Sequence, residues 1–295
     1  MSVRSALDPR SLLAFLPIDR FRNPPPVVGV LRLAGVIGSF GPIRSGLTLA
    51  GLESTIERAF KLPRLATVAL SINSPGGSPV QSDLIARRIR DLASEKSVPV
   101  VAFCEDVAAS GGYWLACAAD EIYGRDTSIV GSIGVISASF GFPELMQRIG
   151  VERRVHTAGD KKSMLDPFRK EDPEEVARLK AIQEDMHESF QAMVRERRGG
   201  RLKGDDKTLF SGEFWTGRRA VELGLVDGLG ELRQTMRARF GDKVIFRRID
   251  SAGPWWRRRL GRGAAGPAGF FEPREWVAGA LAAAEERALW SRFGL

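Results

Sequence analysis

Two kinds of apolar pattern alternate between residues 27 and 137, and that alternation limits the fold more than any other feature of the sequence. Val27–Ile37 is mostly β-branched and apolar, and Leu49–Phe60 then carries Leu52, Ile56 and Phe60 at helical spacing. Leu65–Ile72 is a second apolar run, closed by the turn-forming Asn73-Ser74-Pro75-Gly76-Gly77 and followed by helical periodicity over Ser82–Ala93. Val98–Phe103 reads as a third strand, Ala108–Ala119 as a helix of small residues, and Ile129–Ser137 as further strand bent at Gly131 and Gly134. Strands that are apolar on both faces and alternate with helices predict an α/β domain with a mainly parallel, covered sheet.

Further along, Pro173–Arg198 reads as a long charged helix, and Leu209–Gly230 as a helix closed by glycines. The composition changes near residue 250. Ser251–Gly269 is rich in Gly, Ala and Arg, and Pro273–Trp290 is an amphipathic helix with Trp276, Ala280, Leu281, Ala284 and Ala288 on one face. The expected divisions are an N-terminal amphipathic segment over 1–26, a principal domain over 27–248, and a linker with an amphipathic helix over 249–295.

Composition excludes several classes of function. With 43% hydrophobic and 27% charged residues among 295, the chain can bury a full core and is not disordered as a whole. Two cysteines exclude a disulfide scaffold and a cysteine-rich zinc domain. Two histidines, His156 and His187, are too few for a multi-histidine metal site. No metal and no organic cofactor is expected. The formal charge of +8 points to an anionic partner, either nucleic acid or a membrane surface. No apolar run approaches the roughly 20 residues of a spanning helix, and the N-terminus lacks the pattern of a secretory signal. The expectation is a cytoplasmic protein, in peripheral contact with the inner membrane at most.

Ser110 stands where the third strand passes into a helix and is followed by Gly111 and Gly112. A helix N-terminus offers unpaired N–H groups that can hold an oxyanion, and glycines allow a substrate backbone to come close. On spacing alone the same residues read more readily as a plain helix cap. The loop at Gly76 and Gly77 also follows a strand, so in a parallel sheet it would meet Ser110 at the same edge and add N–H donors. Ser74 is the rival nucleophile, and His156 is a candidate base. Lys161 and Lys162 follow the glycine turn of His156-Thr157-Ala158-Gly159-Asp160. A lysine acts as a base only when burial keeps it neutral. Composition alone favours an exposed pair. His187 reads as solvated.

Taken together, INSPGG at 72–77, ASGGYW at 109–114, GSIGV at 131–135, HTAGDKKS at 156–163 and FSGEFWTGRRAVELGLVDGLG at 210–230 resemble the signal peptide peptidase A family of Ser-Lys serine peptidases. The resemblance covers about residues 27–240. It implies a ClpP/crotonase-like fold with repeated β-β-α units, to which a helical C-terminal tail is added here. It makes Ser110 the nucleophile and Lys162 the general base, with Lys161 the second choice. Ser132 orients the lysine, and Gly76, Gly77 and Gly111 form the oxyanion hole. The implied substrates are signal peptides and other short hydrophobic or unfolded segments, cleaved through an acyl-enzyme by a homo-oligomer. Asp160 departs from the family pattern, and the N-terminal membrane anchor usual in the family is not expected here.

Two alternatives stand beside this reading: a crotonase-type acyl-CoA enzyme, and a catalytically degenerate scaffold at the membrane. Nucleic-acid binding has only charge in its favour. Seven Arg against four Glu over 251–295, with Trp255 and Trp256 beside Arg257–Arg259, fit an anionic membrane surface better.

Overall fold

The computed structural model describes residues 24–39, 46–249, 284 and 287–295. In chain order the elements are β1 (Val27–Ala34), α1 (Leu49–Phe60), β2 (Leu65–Ser74), α2 (Pro79–Lys96), β3 (Val100–Ala109), α3 (Gly111–Ala116), β4 (Glu121–Gly124) and β5 (Ile129–Gly131). An irregular stretch with one short helix, α4 (Pro143–Arg148), leads to α5 (Pro173–Arg198). Then come α6 (Asp206–Leu209), β6 (Phe214–Thr216), α7 (Gly217–Glu222), β7 (Gly228–Leu229), α8 (Leu232–Phe240) and β8 (Ile245–Ile249).

The strands form one sheet in the order β6-β5-β3-β2-β1-β8, with β4 joining β3 to β7. Every pairing is parallel except the β5–β6 pair. Strand alternation explains the two layers of core. Along β2, Val68, Leu70 and Ile72 face α1 and α2, where Ile56, Ile85 and Ile89 are fully buried. Ala69 points the other way, into a smaller cluster with Val101, Phe103 and Met236 of α8. Truncating Ile85 or Ile89 to Ala is expected to cost about 2–5 kcal/mol.

Local chemistry sets the helix starts. Thr48 caps α1 by accepting from the Gly51 N–H, and Ser78 caps α2 ahead of Pro79. Asp172 caps α5, whose first turn carries Glu174 and Glu175 and whose last turn carries Arg195, Arg197 and Arg198. This charge order suits the helix dipole.

The α/β architecture agrees with the sequence pattern, and α1 and α5 keep their expected bounds. The β-β-α unit is present in reduced form. After β1 and β2, single residues Ile37 and Gly77 bridge to each other in parallel before the chain enters α1 and α2.

Several local expectations change. Ala108 and Ala109 belong to β3, not to a helix, because they pair with Val130 and Gly131 of β5. The strand expected over Ile129–Ser137 stops at Gly131, because Ser132 turns the chain with a φ of +53°. Leu209–Gly230 is not one helix: the six-residue α7 lies between short strands. The strand-like reading of Arg153–Ala158 fails too; these residues, His156 included, are exposed and irregular. His187 is half-buried rather than solvated, with Nε2 3.0 Å from the Ile133 carbonyl oxygen. The N-terminal amphipathic segment, Ser251–Gly269 and most of the C-terminal amphipathic helix lie outside the described residues. Among those described, no helix is long and apolar enough to cross a membrane.

Candidate active site

Ser110 sits between β3 and α3 with φ +53° and ψ −123°. An L residue rarely adopts this pair of angles, at a cost of about 1–3 kcal/mol, and such outliers cluster at functional sites. The turn is sharp because both neighbours are held in place. Ala109 is locked in the sheet opposite Gly131, the Ser110 N–H donates to the Gly131 carbonyl at 2.8 Å, and the Ser110 carbonyl accepts from the Trp114 N–H at 3.0 Å. The hydroxyl makes no capping bond to its own helix. A strained strand-to-helix turn that presents a free serine hydroxyl is the geometry of a nucleophile elbow. No G-x-S-x-G signature marks it here, so the elbow itself was not readable from sequence.

The two glycine loops meet. A Cβ placed on Gly76, which has φ +103°, would lie 2.8 Å from the Ser110 Cβ. One on Gly112 would lie 2.5 Å from the Ser74 carbonyl oxygen, and one on Gly111 2.4 Å from Ser82 Oγ. Glycine at these positions is therefore set by close approach. The Gly76 N–H donates to Ser74 Oγ at 3.2 Å. Ser74 is fully buried and occupied by that bond, which disfavours it as a nucleophile. Gly111 is the first residue of α3, so its N–H has no helical acceptor. The Gly77 loop is fixed by Ile37, whose N–H donates to the Gly76 carbonyl and whose carbonyl accepts from the Ser78 N–H, both at 2.8 Å.

Ser132 stands beside Ser110. The two serines follow residues paired across β3 and β5, and both have φ +53°. Ser132 is buried, and its N–H donates to the Glu213 carbonyl at 2.6 Å. His187 holds the next residue through the Ile133 carbonyl.

Lys162 is not brought to this cluster. Its side chain is exposed, in a turn where its N–H donates to the Gly159 carbonyl at 3.1 Å. Lys161 is exposed as well and pairs with Glu174 at 3.4 Å. His156 is exposed, far from the role of base within a single chain.

A cavity of about 620 Å³ opens over Ser110, with Trp114, Val135, Ile136, Met186 and Phe190 among its walls. A second cavity, of about 420 Å³, lies on the opposite face of the sheet. Cys104 lines it but is no nucleophile there: burial, with the nearby Cys117 adding to it, pushes its thiol up to about 12.

Asp227 lies in the stretch FSGEFWTGRRAVELGLVDGLG at 210–230, where nothing local marks it as a structural anchor. Its carboxylate accepts from both terminal guanidinium nitrogens of the buried Arg198, at 2.8 and 3.0 Å, and from the Ile122 N–H at 2.7 Å. It thereby ties the end of α5 to β4. Burial opposes the charge on Asp227, but the bonds from Arg198 and Ile122 outweigh it and hold the carboxyl below its usual range.

The model of peptidase family S49 matches residues 93–241, a stretch that holds Ser110, Ser132, Lys162 and Asp227. A Brucella abortus protein named Na(+)/H(+) antiporter NhaA is 52% identical over 94% of this chain and 38% of its own length. The chain thus spans less than two-fifths of that relative, and the antiporter name describes the longer protein. The chloroplastic serine protease SPPA of Arabidopsis thaliana is 30% identical over 71% of this chain and 31% of its own. A Synechocystis protein bearing a protease name is 35% identical over 75% of this chain and 80% of its own. The solved structure of a membrane-bound stomatin-specific protease aligns with 77% of this chain and 99% of its own, at a TM-score of 0.47 and 14% identity. With the family model spanning half of the chain, including the Ser110 corner, and the Synechocystis relative covered over most of its length, the chain belongs to peptidase family S49.

Proposed function

We propose that the chain is a serine endopeptidase that cleaves short hydrophobic or unfolded peptides, signal peptides among them, through an acyl-enzyme on Ser110. The observation that carries this reading is the strained φ/ψ of Ser110 at the mouth of an apolar cavity, with glycine N–H groups beside it. In the proposed cycle a neutral lysine takes the Ser110 proton and the Oγ attacks the peptide carbonyl. The Gly77 and Gly111 N–H groups, with Gly76 shaping the loop, face the developing oxyanion. The lysine then protonates the leaving amine and activates water, which releases the acid. No metal or organic cofactor enters the cycle.

The base is assigned to Lys162 of a second copy. A single chain leaves Lys162 exposed to solvent and outside the walls of the Ser110 cavity. The arm that carries it exposes Ile136, Phe140, Phe142, Leu145, Ile149 and Val151, a patch that a homo-oligomer would cover. Docking this arm beside the Ser110 corner of a neighbour would bury the apolar patch and desolvate the lysine together. Peripheral contact with an anionic membrane, through residues 255–259, belongs to the same proposal.

The test is hydrolysis of a hydrophobic peptide panel, with and without anionic liposomes, by the wild type, Ser110→Ala and Lys162→Ala. Labelling of Ser110 by a serine-reactive probe separates an enzyme from a degenerate scaffold. Turnover of acyl-CoA in place of peptides would support the crotonase-type alternative.

A further inference from the structure

We propose that Arg292 makes the Ser110 cavity selective for peptides that carry a carboxylate. This rests on reading the cavity as a peptide site. Among the described residues that line it, Arg292 is the one charged side chain. The other walls come from apolar, small or neutral polar residues, and Leu289 contributes from the same C-terminal segment as Arg292.

The segment is anchored rather than loosely laid on the surface. Phe293 is buried against Val107 and Ala109 of β3, with Ile129 and Trp290 packed around them. Its ring meets that of Phe214 edge-on at 5.1 Å. The turn is closed by the Phe293 N–H donating to the Trp290 carbonyl at 2.9 Å. With Phe293 packed against β3 and Leu289 one turn earlier on the cavity wall, Arg292 lines the cavity with its side chain exposed. No carboxylate pairs with it among the described residues. A guanidinium beside an apolar wall attracts a carboxylate more strongly than it would in open water and disfavours a cationic peptide. Arg292 also lies outside residues 93–241, the stretch matched by the family model.

The test uses the full chain carrying Ser110→Ala, which removes turnover and leaves binding readable. One hydrophobic peptide with a neutral fluorophore is compared with versions bearing a single Glu or a single Lys at successive positions, by anisotropy at low salt. The best-placed Glu peptide is expected to bind about tenfold more tightly than the neutral one, an advantage that salt erodes. Arg292→Gln should abolish the preference, Arg292→Lys should keep part of it, and Arg292→Glu should turn it toward the Lys peptide. Equal binding of all peptides, or a Glu preference that survives Arg292→Gln, overturns the role of Arg292 while leaving the peptide cleft standing. Binding of no peptide overturns the cleft reading and this proposal with it.

Discussion

Every residue from Gly111 to Ala119 is buried, whereas none from 136 to 174 is. The Ser110 corner is over-determined: sheet pairing on one side, a helix on the other, and a glycine loop so close that a Cβ on Gly76 would lie 2.8 Å from the Ser110 Cβ. The Lys162 arm has few tertiary contacts and shows large apolar side chains to solvent. Its aromatic residues pack against each other, Phe142 tilted against Phe168 with ring centres 5.8 Å apart and Arg153 over Phe168. The contrast teaches that strain can be stored where packing is complete, while the arm has its apolar surface left to satisfy. Such an arm suits a part that finishes its environment by meeting another copy.

The largest expected effect tests whether the halves meet between copies. Ser110→Ala and Lys162→Ala should each lower kcat by at least about a thousandfold with the fold intact, while Lys161→Ala stays within a few-fold of wild type. Mixing the two inactive variants as dissociated subunits and letting them reassemble should restore peptidase activity. If the mixture stays dead while Lys162→Ala alone is inactive, the base acts within one chain and the arm does not complete a neighbour's site.

Next in size is the tie that holds the corner's frame. Asp227→Asn leaves the buried Arg198 guanidinium without its carboxylate counter-charge and should cost about 3–5 kcal/mol in urea unfolding at pH 7. The Asp227 carboxyl is held below its usual value in the fold. Its stabilisation is therefore complete above the unfolded value of about 3.9 and is lost as the pH falls through the lower folded value. The gap between wild type and Asp227→Asn should accordingly narrow only on acidification below about pH 4. A gap that narrows already between pH 8 and 6 would point to a different group.

A smaller loss is expected at Gly76. The Gly76→Ala side chain meets Ser110 Cβ and the Ala109 carbonyl in a positive-φ conformation, so stability should drop by about 2 kcal/mol and activity with it. The smallest effect on the isolated chain belongs to the arm. Leu145→Asp should change chain stability by no more than about 0.5 kcal/mol, yet shift the assembly toward single chains by light scattering. A variant that unfolds instead would show that the arm packs within its own chain.

Much of the fold was legible because it follows from local periodicity. The apolar stripes at Leu52, Ile56 and Phe60, the Asp172-Pro173 start of α5 and the apolar run of β2 each state their structure within a few residues. The misreadings have a common physical cause. Ala108 and Ala109 look helical in isolation, but pairing with Val130 and Gly131 draws them into β3. Ile129–Ser137 reads as a strand, yet its continuation is cut off by the turn at Ser132. His187 sits on a polar helix, yet its Nε2 lies 3.0 Å from the Ile133 carbonyl oxygen, a contact between residues 54 apart in sequence. Asp227 and Arg198 lie 29 residues apart, and nothing between them in sequence announces the pair.

By itself the sequence determined the α/β class, the glycine-flanked serine and the motifs that mark the peptidase family, since these depend on side-chain period and on residue identity at short spacing. Only the tertiary structure decided which backbone is strained, which N–H groups are left unpaired beside Ser110, and that a tail arginine reaches the cavity while the motif lysine does not. Those properties depend on which surfaces come together, and contacts between distant segments set them.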